Sequence, residues 1–179
     1  MYHIKNDRRA EKSVELIIGA LTALMGEKAF AEITVTDLQR RSSVSRSTFY
    51  RNFDSLTDVL ALLCDRGFQA IFSGGDEQDL RSEVFNYWFC NSAVLEVLVS
   101  IHRTDIFLLS FRREAMKLES LRFLAQDPCR CDYFISIITS VMVGVLTTWI
   151  EHGKKETREQ VANILTDEFA AISALGIAG

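Results

Sequence analysis

The 179-residue chain is 48% hydrophobic with a single proline, so it can bury a core without disulfide or metal staples. Its formal charge of −4 excludes a general polyanion binder, and the near absence of Val, Ile and Thr in period-two alternation argues against a sheet. Residues 1–53 hold nine Lys and Arg against six Asp and Glu, a net of +3 that leaves −7 for the rest, the asymmetry expected when one end meets phosphates.

Val14, Ile17, Ile18, Leu21, Leu24 and Met25 recur at the spacing of one buried helical face, which predicts a first helix over 8–26. Thr34 is an N-cap candidate, with Asp37 completing a carboxylate capping box. The short second helix it opens turns Val35 and Leu38 inward and gives out near Ser42 and Ser43. Ser45 caps a third short helix in which only Phe49 and Phe53, four apart, can anchor to a core. A fourth helix over 55–72 carries Leu56, Val59, Leu60, Leu63, Phe68 and Ile71, and Ser73-Gly74-Gly75 ends it as a linker.

Beyond the linker, longer and more apolar helices are expected over 79–90, 92–101, 104–125, 131–152 and 157–175. Pro128 separates the third of these from the fourth, Gly153 closes the fourth, and Thr157 with Gln160 forms a capping box for the last. No internal repeat or low-complexity stretch is present.

Two short helices joined by about three residues form a helix-turn-helix pattern. Spacing alone leaves open an ordinary surface hairpin. The residues on the second of them suit DNA, because Arg forks onto guanine, Asn onto adenine, and hydroxyls reach phosphates or bases.

The stretch from Ile17 to Leu60 resembles the DNA-binding head of the TetR family. The resemblance rests on Thr34, Val35, Asp37 and Leu38, followed by Val44-Ser45-Arg46-Ser47-Thr48-Phe49-Tyr50-Arg51-Asn52-Phe53, then Ser55 and Leu60. It implies that Thr36 touches a base or phosphate, that Arg46, Ser47, Thr48, Arg51 and Asn52 face the major groove, and that Tyr50 clasps the backbone. Ser45 stands with them at the head of the helix, although it and Thr34 read first as caps. The chain departs from the family pattern at Ala29 and Ser43, where glycines are usual, and at Leu56, where a phosphate-gripping lysine is usual.

The nearly continuous apolar run over 133–150 is broken by Ser136, Thr139, Ser140, Thr147 and Thr148 and lacks basic flanks, so a protein-covered helix is expected rather than a membrane span. Ser140, Gly144 and Thr148 fall four apart as a small-residue stripe, and Val161, Ile164, Leu165, Phe169 and Ile172 form an apolar stripe on the last helix. In the family these two helices pair with their copies in a four-helix dimer interface. The Trp149-Ile150-Glu151-His152-Gly153 ending resembles one bacterial branch of that family. The family also places an effector pocket between head and interface, where Phe85, Tyr87, Trp88, Phe89, Phe107, Phe111, Met116, Phe123 and Phe134 fall with the polar Asn86, His102, Arg103, Arg112 and Tyr133; plain core packing is the competing reading. Arg112-Arg113-Glu114 reads as a solvated, salt-bridged helix face.

Cys64, Cys90, Cys129 and Cys131 form no C-x-x-C pair and are expected as free thiols, with Cys129 and Cys131 the candidates for any redox role. No catalytic or metal-binding motif stands out and no cofactor is expected. The charged N-terminus lacks the apolar core of a signal peptide, which points to a soluble cytoplasmic protein. The expected architecture is all-α: a helix-turn-helix DNA-binding domain over 1–54, and a helical effector-binding and dimerisation domain over 55–179 entered by the fourth helix. The expected function is a homodimeric repressor that binds a palindromic double-stranded operator and is released by a small-molecule effector. A TetR-like co-regulator that binds a partner protein instead of a metabolite is the alternative.

Overall fold

Asp7 starts the first helix by accepting from the backbone amides of Arg9 and Ala10, and α1 then runs over Arg8–Met25. The computed structural model describes residues 2–5, 7–74, 80–118 and 126–175. A 3₁₀ turn at Phe30–Glu32 leads to α2 (Val35–Ser42), α3 (Arg46–Asn52) and the long α4 (Leu56–Gly74). The body follows as α5 (Leu80–Cys90), α6 (Ala93–Ser100), α7 (Thr104–Ala115), α8 (Pro128–Glu151) and α9 (Arg158–Ala174). The chain is all-α, and an antiparallel bridge between Tyr2 and Phe53 is the isolated extended pairing among the described residues.

Both expected capping boxes form, Thr34 with Asp37 and Thr157 with Gln160. Three boundaries differ from expectation. Pro128 does not separate two helices but is the first residue of α8, where Asp127 caps by accepting from the Arg130 amide. A proline there gives up only an N–H that no helix carbonyl could reach. The helix expected over 104–125 ends at Ala115 and turns through Met116, while the stretch from 119, with Phe123, lies outside the described residues. The fourth helix, α4, runs two residues further than expected, through Ser73 to Gly74 within the expected linker; Gly75 and Asp79 lie outside the described residues.

The head packs Val14, Ile17, Leu21 and Leu24 of α1 against Leu38, Phe49 and Phe53. The core continues without a break through α4 into the body, where Phe68 is a hub. Its ring centroid lies 5.1 Å from Trp88, 5.0 Å from Phe107 and 5.4 Å from Phe111. Contacts of this kind contribute about 0.5–1.5 kcal/mol each beyond their buried area. Gly67 lets α5 approach, because a Cβ there would stand 2.8 Å from the Trp88 ring.

Candidate functional site

The turn between α2 and α3 is set by Ser43, which adopts the left-handed conformation at φ 59° and whose amide donates to the Gln39 carbonyl. A glycine would take this conformation without the Cβ strain that serine bears. Ser45 then caps α3, its Oγ accepting from the Thr48 amide and lying 3.0 Å from Ser47 Oγ. Phe49 and Phe53 point into the core with ring centroids 5.7 Å apart. That choice of inner face turns Arg46, Ser47, Tyr50 and Arg51 to solvent, with Thr48 half-buried and Thr36 exposed at the front of α2. Tyr50 leans edge-on against Phe49 at 5.3 Å, which steadies its ring while its hydroxyl end stays in water. Among the described residues neither Arg46 nor Arg51 has an acidic partner, whereas Arg41 is held by Glu27 at 2.6 Å. At the base of α2, the Lys28 ammonium first, and then the Thr34 hydroxyl and amide, hold the Asp37 carboxyl well below the usual range.

Asn52 corrects the expectation that it faces the groove. It is 3% exposed, and its Nδ2 donates to the Thr48 carbonyl at 2.8 Å. The N-terminal segment lies across this end of α3, with the His3 amide donating to the Asn52 carbonyl at 2.9 Å. The amide is thus committed to the helix it ends.

In the body, a cavity of about 360 Å³ lies between α5, α7 and α8 under Leu165, Thr166 and Phe169 of α9. Val84, Phe85, Phe111, Phe134, Ile138 and Met142 give it apolar walls, and Ser82, Asn86 and Thr166 are its polar side chains among the described residues. Of the residues expected in an effector pocket, Phe85, Asn86, Phe111 and Phe134 line it, and the other described ones do not. Trp88 and Phe107 are fully buried in the Phe68 cluster, and Phe89 stacks on Trp149 at 3.8 Å. His102 sits exposed at φ 55° where α6 turns into α7, and Tyr133 is 68% exposed. Tyr133 misses the cavity because the inner face of α8 is set by Cys131, Ile135, Thr139 and Leu146.

A separate groove of about 470 Å³ runs between α8 and α9. Ser140, Gly144, Thr148, Val161, Ile164, Leu165, Phe169 and Ile172, the residues expected at a dimer interface, all line it. Apart from its chain neighbours and the nearby backbone of α8, no described atom comes within 4 Å of a Cβ built on Gly144. Val161 is the one described residue buried on α9, while Ile164, Phe169, Ile172 and Leu175 are exposed. By length and composition α8 could cross a membrane, and 22% of its most apolar window is buried within the chain.

The family model for the transcriptional regulator C-terminal region of TetR type matches residues 77–168. The chain belongs to the TetR family of transcriptional regulators. The crystal structure of Lin0861 from Listeria innocua superposes with a TM-score of 0.73, covering 95% of this chain and 96% of that chain at 17% identity. At that identity the likeness is one of fold. No curated protein matches the chain.

Within this TetR frame, the Leu56 that stands where the family often has lysine is packed against the core rather than offered to solvent. Sequence reasoning missed the group that joins head and body. Arg113 stays 45% exposed and salt-bridged, as a solvated face implies, but its partner is inside the fold: its Nη2 donates to Oδ1 of Asp65 at 2.5 Å, and Asp65 on α4 has no exposed surface. Glu114 beside it is also buried and pairs with Lys117 at 2.6 Å. The signal available beforehand was Asp65 itself, a carboxylate in the middle of the apolar face of α4.

Proposed function

We propose that this TetR regulator is a DNA-binding homodimer whose head, residues 1–54, reads an operator through α3 and whose body, residues 55–179, carries dimerisation and effector sensing. The observation that carries the reading is the division of α3: Phe49 and Phe53 are buried, while Arg46, Ser47, Tyr50 and Arg51 are exposed and the two guanidiniums have no acidic partner among the described residues. A guanidinium left unpaired on a short helix is available to a guanine edge or a phosphate. Arg46 and Arg51 are the base and backbone readers in this reading, with Thr36, Ser45, Ser47, Thr48 and Tyr50 as hydroxyl donors to phosphate. A regulator of this kind works where the DNA is, in the cytoplasm.

Dimerisation is supported by α9. A helix of 17 residues with one buried side chain and three large apolar ones exposed, followed by an exposed Leu175 at its C-cap, has little to hold it in the single chain. A second copy laid over the α8–α9 groove would cover those residues, and Gly144 leaves room for close backbone approach. Ile137 and Tyr133, exposed on α8 about one and two turns before Ser140, extend the same face.

The body cavity, with no charged side chain among its described lining residues, suits a small uncharged apolar effector oriented by Asn86. An effector that fits better when the heads are splayed lowers operator affinity by its differential binding energy, which makes the protein a repressor released by ligand. The test is a fluorescence-anisotropy titration against duplexes selected from a random library at fixed salt. Enrichment of a palindrome with half-sites about 34–36 Å apart supports the reading. Failure to enrich any sequence overturns it.

A further inference from the structure

Asp65 is wholly buried in the middle of α4, and a buried carboxylate left without donors costs several kcal/mol. Two donors from distant parts of the chain meet it. The Tyr2 hydroxyl donates to Oδ2, and Arg113 Nη2 on α7 donates to Oδ1 at 2.5 Å while lying 3.4 Å from Ser110 Oγ. Tyr2 also pairs with Phe53 across the antiparallel bridge, and the next residue, His3, donates its amide to the Asn52 carbonyl. The N-terminal segment therefore touches the end of α3 with its backbone and reaches the α4–α7 seam with its first described side chain. Burial, and then the bond to Asp65, push the Tyr2 phenol well above its ordinary range, so it remains a donor.

We propose that Tyr2, Asp65 and Arg113 form a latch that ties the end of the recognition helix to the seam between α4 and α7. Arg113 alone could neutralise Asp65, so the charge does not require Tyr2. Recruiting a side chain 63 positions away closes a long loop, and what that closure gains is a fixed position for residues 2–5 over Asn52 and Phe53. A movement of α7 against α4 changes the donors around Asp65 and so changes the hold on Tyr2. Tyr2 is thereby a positioning residue for α3, and Arg113 its partner in the body. The consequence for DNA rests on the reading of α3 given above; the latch itself does not.

Hydrogen exchange of the full-length protein without DNA tests it, comparing wild type with Tyr2→Phe, Arg113→Gln and Asp65→Asn. Tyr2→Phe removes one charge-assisted hydrogen bond and should speed exchange over residues 2–5 and 50–55 by about tenfold, leaving α1 and α5 at wild-type rates. Arg113→Gln, a change on α7, should speed the same two stretches severalfold. Unchanged exchange there in either variant overturns the latch. Should Arg113→Gln unfold the whole chain, Asp65→Asn decides by the same criterion, because it keeps the shape and removes the charge. A chain that never bound DNA would fail in the wild-type titration and leave this exchange comparison intact, so the two failures are distinguishable.

Discussion

Asn52 ends α3 by donating its side-chain amide to the Thr48 carbonyl at 2.8 Å, and its own carbonyl accepts from the His3 amide. An amide engaged in this way is a helix stop and not a base reader. Asn52→Ala should therefore cost stability, about 1–2 kcal/mol for a buried hydrogen bond lost with its carbonyl partner stranded. Operator preference should keep its pattern in this variant. Arg46→Ala should do the reverse, costing about 1–3 kcal/mol in affinity and relaxing preference at one position with little change in melting temperature. Thermal melts and anisotropy titrations on single-base operator variants measure both, and a shifted base preference in Asn52→Ala would restore it as a reader.

What was legible in the sequence was local. Thr34 with Asp37, Thr157 with Gln160 and Ser45 signal helix starts through partners three residues away, and each forms the cap it spells. The inner face of α3 was legible for the same reason, since Phe49 and Phe53 lie one turn apart. Pro128 was misread because a proline marks a helix start as readily as a helix stop, and only Asp127 beside it tells which. The burial of Asn52 and Asp65, and the pairing of Arg113 with Asp65, depend on chain segments 48 to 63 residues away or on the N-terminal segment, which no periodicity encodes. Of the aromatic run in the body, Trp88 and Phe107 went to the Phe68 cluster and Phe111 reached the cavity wall as well. Spacing marks all of them as apolar, and only packing sorts them.

The groove between α8 and α9 makes the oligomeric state testable at one residue. The Cβ of a leucine at Gly144 meets open space and its longer branch enters the α8–α9 groove, so the folded protomer should tolerate it and even gain helix propensity. Across a close helix pair the same side chain overpacks, at roughly 1–3 kcal/mol, which raises the dimer dissociation constant about tenfold or more. Light scattering behind size exclusion reads the change, with Ile164→Arg as an independent disruptor at the same groove. A wild type that stays monomeric at micromolar concentration would end the proposal.

The cavity under α9 is tested by filling it. Ile138 lines the cavity and not the α8–α9 groove, so Ile138→Trp fills the space from α8; Leu165 and Phe169 border both, and light scattering checks that the variant keeps the wild-type oligomeric state. An uncharged apolar dye such as Nile red should brighten with wild type and fail to do so with Ile138→Trp. An effector that acts through this site should change operator affinity by about 1–3 kcal/mol in wild type and lose that effect in the filled variant. If the filled variant responds to effector as wild type does, sensing lies elsewhere.

Gly67 poses a contest between helix propensity and packing that magnitudes can settle. It lies inside α4, where alanine in place of glycine ordinarily stabilises by about 0.8–1 kcal/mol. Here a Cβ would stand 2.8 and 2.9 Å from two carbons of the Trp88 ring and 3.0 Å from Tyr87. A side-chain tip in solvent would swing aside at little cost. The Trp88 ring is 1% exposed and wedged against Phe68 and Phe107 at 5.1 and 4.8 Å, so it can move only by disturbing the cluster that holds the body together. Overpacking of a filled core costs about 1–3 kcal/mol, enough to outweigh the propensity gain. Gly67→Ala should thus lower stability by a net of roughly 0–2 kcal/mol and alter the Trp88 fluorescence, whereas Gly19→Ala, on α1 with nothing near its Cβ, should raise it. Urea melts followed by tryptophan emission compare the two directly, and a Gly67→Ala protein as stabilised as Gly19→Ala would mean that α5 does not rest on the α4 backbone at this point.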